Sequence, residues 1–68
     1  MTSFTVPMST THDGITYLLR QDDNGFFAVR VDAASGDLLI DDPKLNDILR
    51  QQDNAVFALF AIGDYHGA

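Results

Sequence analysis

The chain reads as a small α+β domain: a three-stranded antiparallel β-meander, one amphipathic helix, and a short apolar C-terminal helix or fourth strand. Three observations predict it. Apolar and polar residues alternate with a period of two on both sides of Asn24-Gly25, a dipeptide that joins paired strands. Asp42-Pro43 then opens a stretch with Leu45, Ile48 and Leu49 at helical spacing. Finally, 68 residues with 46% apolar and 21% charged side chains make one globular unit. It lies near the lower size limit for folding on a single apolar core. There is no cysteine, so neither a disulfide framework nor thiolate chemistry is available, as in a reducing cytosol.

Residues 1–12 read as a loose leader, rich in Ser and Thr, and residues 13–68 as the domain. The leader's first seven residues, Met1 to Pro7, hold no basic residue and no long apolar run, so they read as no secretory signal. Ile15, Tyr17 and Leu19 alternate with Thr16, Leu18 and Arg20 as a half-buried strand. Phe26 to Asp32 returns, with Phe27, Val29 and Val31 facing the helix. Ala34-Ser35-Gly36 turns the chain into a third strand, Asp37 to Ile40. Asp42 is the expected helix N-cap, Pro43 fits the first helical position, and Leu45, Ile48 and Leu49 pack on the sheet. In the last element Asp53 reads as the cap, the alanines at 55, 58 and 61 favour helix, and Gly63 reads as its stop. Val, Ile and Phe in the same stretch also suit a buried strand. The longest apolar run, Ala55 to Ile62, is far too short for a membrane span.

The segment Val31-Asp32-Ala33-Ala34-Ser35-Gly36-Asp37-Leu38-Leu39 resembles the second hairpin of PepSY-type domains. The helix that precedes the hairpin in that family has no counterpart here, so none of its function is carried over.

Charge is the most distinctive property. All ten acidic residues are aspartates, set against four basic residues, for a net charge of −6. Asp holds its charge close to the backbone and favours turns and helix caps, so such charges are well fixed in space. In an up-down-up meander, Asp22, Asp23, Asp41 and Asp42 would gather at one pole, extended by Asp47. Asp32 and Asp37 would lie with Asp13 about 20 Å away at the other. This pattern repels nucleic acid and anionic membranes and attracts basic protein surfaces. The sheet face carrying Leu18, Phe26, Ala28 and Leu39 offers a second, apolar interface unless residues 55–62 cover it.

Other chemistries find little support. Asp22-Asp23-Asn24-Gly25 lacks the spacing and the distal Glu of a calcium loop. His12-Asp13 and Asp64-Tyr65-His66 could meet as zinc ligands, but two histidines without cysteine are too few, and both ends read as frayed. There is no nucleophile elbow or phosphate loop, and a chain of this size leaves little room for a pocket around a carboxylate pair such as Asp23 with Asp41. The expectation is a non-enzymatic protein with no cofactor and no metal.

Small, acidic, cysteine-free and without catalytic motifs, the chain resembles phage-encoded anti-CRISPR proteins. The resemblance implies a phage or mobile-element origin, a bacterial cytosol, and an inhibitor acting as an acidic DNA mimic. Its target would be the basic nucleic-acid-binding surface of a CRISPR surveillance complex or nuclease. That class shares no motif, so no residue role transfers. The alternative is a structural or regulatory subunit, monomeric or homodimeric, that joins an assembly through the apolar sheet face with Leu18, Phe26 and Leu39.

Overall fold

Asp13 and Gly14 both adopt positive φ, 53° and 79°. A two-residue hairpin turn of matching twist needs this backbone, and Asp and Gly tolerate it. The turn joins β1 (Met8–His12) to β2 (Ile15–Asp22), with Met8 opposite Leu19 and His12 opposite Ile15. Asp23-Asn24 then leads into β3 (Gly25–Asp32), with Asp22 opposite Gly25 and Leu19 opposite Ala28. The sheet is antiparallel in the order β1-β2-β3. Helices α1 (Pro43–Leu49) and α2 (Ala55–Gly67) follow. The architecture is therefore α+β, as the sequence predicts. The computed structural model describes residues 8–67.

The strands are not the expected three. Residues 8–12, assigned to the loose leader, form β1, while residues 1–7 lie outside the described residues. Asp37 to Ile40, expected as the third strand, contributes a single bridge between Leu38 and Val31. Two backbone hydrogen bonds hold it there, from Asp32 N–H to Asp37 O and from Leu39 N–H to Arg30 O, each 2.9 Å. Arg30 also donates to Ile40 O at 2.9 Å. Beyond that point the α1 side chain Asn46 takes over the edge, its Oδ1 accepting from Ala28 N–H at 2.9 Å. The edge of β3 is thus closed by a short segment and a helix rather than by a full strand.

Register decides which residues enter the core. Directly opposed residues of an antiparallel pair share a face. Tyr17, Leu19 and Ala28 are buried together with Leu45 and Leu49 of α1 and Ala58 and Ile62 of α2. Phe27, Val29 and Val31, expected under the helix, lie on the outer face with Leu18, because Leu18 opposes Val29 and Arg20 opposes Phe27. Phe26 and Ala28, expected outside, are the inward ones. Ile48, expected in the core stripe, is 37% exposed. The molecule measures 37 × 25 × 18 Å. Among the described residues no helix is long and apolar enough to cross a membrane.

Capping explains the helix bounds. Asp42 accepts from Leu45 N–H at 3.2 Å and Pro43 follows it, as expected. Asn54, not Asp53, caps α2 by accepting from Phe57 N–H at 3.0 Å. Gly63 does not stop α2, which runs on to Gly67. Tyr65 and His66 lie in the helix's last turn rather than in a frayed end, and each is anchored by a side-chain bond, to Asp42 and to Tyr17.

Candidate functional site

Over Ala55 to Ile62, helix α2 is apolar on every side. Ala58 and Ile62 face the sheet, while Phe57 and Phe60 point away from it, 51% and 66% exposed. A helix that is hydrophobic all round normally has its second face covered too. Here that face borders a groove of about 620 Å³ lined by Ile48, Gln52, Phe57, Phe60, Ala61, Asp64 and Tyr65. One wall is α1 and the other α2. The Asp42 carboxylate accepts from the Tyr65 hydroxyl at 3.0 and 3.2 Å, which ties the start of α1 to the end of α2.

Two of the groove's polar groups already have partners. The Tyr65 hydroxyl serves Asp42, which raises its pKa. Gln52 Nε2 donates to Ile48 O at 3.0 Å. Asp64 is exposed at the rim. A small-molecule pocket of this size needs several convergent polar groups to orient its ligand. This groove instead is mainly apolar, with Phe57, Phe60 and Tyr65 along its α2 side and Ile48 on its α1 side, the chemistry of a protein contact.

The acidic residues do not form the expected pole. Asp22 and Asp23 sit at the β2–β3 turn, where Arg50 donates to Asp22 at 2.9 Å. Asp41 and Asp42 stop level with the middle of β3, because the chain leaves the sheet edge there. Asp42 is therefore separated from Arg50 by the length of α1, about 10 Å. Three of the expected contact residues serve the fold. Asp22 is held below the usual carboxylate range by Arg50 and by Asn24 N–H. Asp32 is lowered by the N–H groups of Ser35 and Ala34, which close its turn. For Asp42, burial pushes the pKa up, but the Leu45 N–H, the Tyr65 hydroxyl and nearby Arg30 together outweigh it, and the net shift is downward. Asp23, Asp41 and Asp47 are exposed, and Asp47 lies near enough to Arg50 to act on its charge. At the far end Asp13, Asp32 and Asp37 do gather, since Ala33 N–H bonds Gly14 O at 2.9 Å.

Of the expected apolar interface, Leu18 lies on the outer sheet face, Phe26 packs against the core, and Leu39 is half-buried at the β3 edge. The terminal histidines do meet. His12 and His66 stack with ring centroids 5.1 Å apart, His66 bonds the Tyr17 hydroxyl, and Asp13 lies 3.9 Å from His66 Nδ1. Among the described residues no group of three His, Cys, Asp or Glu could hold a metal.

The groove is hidden in the sequence because Ala55 to Ile62 are all apolar and suit either a short helix or a buried strand. Helical spacing carried the signal: Val56, Phe57 and Phe60 fall on the side of α2 opposite Ala58 and Ile62. Comparison with protein-family models, characterised proteins and solved structures finds no match to this chain.

Proposed function

We propose that this protein is a non-enzymatic binding module that takes an apolar segment of a partner protein into the α1–α2 groove. One observation carries the reading: Phe57 and Phe60 stand largely exposed beside a groove whose tyrosine and glutamine are already bonded. Aromatic anchors of this kind dominate interface energetics when a partner desolvates them.

The acidic decoy, an anti-CRISPR-like inhibitor in the bacterial cytosol, is the second reading. Eight of the ten aspartates are exposed, while Arg50 and Arg30 are engaged inside the molecule, which favours it. Magnitude counts against charge as the whole basis of binding. Duplex DNA carries one charge per about 1.7 Å, so a length of 37 Å presents roughly 22 charges against a net −6 here. Acidity of this strength steers approach to a basic partner, and the groove supplies the affinity. Both readings describe a protein that inhibits or regulates by occupying another protein's surface.

A photo-crosslinking residue placed at Phe60, Asp23 or Asp37 in turn tests this in cells. The groove reading expects a defined adduct from position 60. Adducts from positions 23 and 37 alone would leave only the decoy.

A further inference from the structure

We propose that the outer face of the sheet is a homodimer interface, in which two copies stack face to face with their β2 strands antiparallel. This goes beyond the groove reading and concerns the opposite side of the molecule. Both helices pack on the inner face, around Tyr17, Leu19 and Ala28. Among the described residues no helix or strand lies over Leu18, Val29 and Val31, which are half-buried and share the outer face by register with Phe27, whose ring the Arg50 side chain reaches. The bridge to Val31 puts Leu38 on the same side, and it is 75% exposed.

Area, charge and symmetry point to a second copy as the occupant. Three strands and the flanking segment, spaced about 4.8 Å and rising about 3.3 Å per residue, give a face of roughly 500 Å². Two such faces bury roughly 1,000 Å², where specific interfaces begin. Apart from Ser9, exposed beside Leu18, the polar groups on the face are divided between its ends. Arg20 lies toward the β2–β3 turn, where its Nη1 bonds only its neighbour's carbonyl, Leu19 O, among the described residues. At the same end Asp22 is neutralised by Arg50, which also sits 5.6 Å over the Phe27 ring. The other end carries the Thr11–Thr16 hydroxyl pair, 3.0 Å apart, with exposed Asp13 beside it. A two-fold axis crossing β2 near Leu18 lays Arg20 of each copy over the hydroxyls of the other and toward its Asp13. The parallel stacking would set Arg20 against Arg20. Paired sheets align within about 30° in such sandwiches, so the antiparallel arrangement satisfies packing and charge together. It leaves both grooves facing outward, on opposite sides of the dimer.

Light scattering coupled to sizing chromatography, run at micromolar and submillimolar concentration, tests the interface. The expected mass is twice the 7.5 kDa of one chain. Leu38→Lys, at an exposed position, and Val29→Lys should each return it to one chain's mass, while Phe60→Ser leaves it doubled. Circular dichroism checks that the variants fold, and Leu38→Lys keeps the test valid if Val29→Lys does not. A monomer at every concentration overturns the proposal. So does a dimer that survives Leu38→Lys, or one that Phe60→Ser abolishes.

Discussion

The Asp42 carboxylate caps α1 through Leu45 N–H and receives the Tyr65 hydroxyl from α2, so one side chain joins both walls of the groove. Asp22 and Asp32 play similar local parts, at a salt bridge and in a turn. All three have folded-state pKa values below the ordinary 3.8. A carboxyl with a depressed folded pKa contributes stability that is fully present above its unfolded value and is lost as pH falls through the folded one. The protein should therefore hold its melting temperature from pH 7 to about pH 5 and lose it progressively below pH 4. Asp42→Asn should flatten that acid limb while lowering the melting temperature at pH 7. Thermal unfolding followed across this range checks both. An acid limb unchanged by the substitution would show that Asp42 does not join the helices as described.

At the scale of elements, the helix–sheet seam depends on Leu45 and Leu49 rather than on Ile48. Leu49→Ala should cost about 2–5 kcal/mol, a large part of what a domain this small has. Ile48→Ala, on the groove wall, should cost about 1 kcal/mol or less. Urea unfolding of the two variants makes the comparison. Gly63 gives a prediction of opposite sign. It lies inside α2, and a Cβ there would meet only His12 Cε1, at an ordinary 4.0 Å. Gly63→Ala should stabilise by roughly 0.5–1 kcal/mol through helix propensity alone, raising the melting temperature by several degrees. Much of this level was legible in the sequence. Asp42-Pro43 marked the start of α1, and the alanines marked α2. Asp13-Gly14 is as strong a hairpin signal as Asn24-Gly25, yet β1 was missed because Ser9, Thr10 and Thr11 show no apolar alternation. The inverted face of β3 was also readable. A two-residue turn at Asp23-Asn24 fixes Asp22 opposite Gly25, which puts Ala28 rather than Val29 beside Leu19. Gln51 to Asn54 and the cap at Asn54 depend on how α1 ends against Gly25, a tertiary contact that no local pattern carries.

For the whole molecule, one layer of sheet and one layer of helices leave two apolar surfaces, one on each side. The outer sheet face carries no helix, the α1–α2 groove is open with aromatics along α2, and most of the aspartates are exposed. Local pattern placed Asp22 and Asp23 at their turn and Asp42 at its cap, but not Asp53, whose expected capping role falls to Asn54. It could not show that the four-acid pole breaks up, because that depends on where the chain leaves the β3 edge. Charge and apolar surface then have separable effects on binding. Screening by salt slows association steered by the aspartates, whereas truncating an aromatic anchor speeds dissociation. The most direct test of the groove is the affinity of Phe60→Ser for the partner captured by crosslinking, measured beside Asp23→Asn combined with Asp37→Asn. Phe60 is two-thirds exposed, so its loss should leave the fold intact. The account predicts a loss of about 30-fold or more for Phe60→Ser, the size of an interface hot spot of about 2 kcal/mol, at low and high salt alike. It predicts only a modest, salt-sensitive loss for the aspartate pair. Unchanged affinity in Phe60→Ser, with a large loss in the aspartate pair, would contradict it.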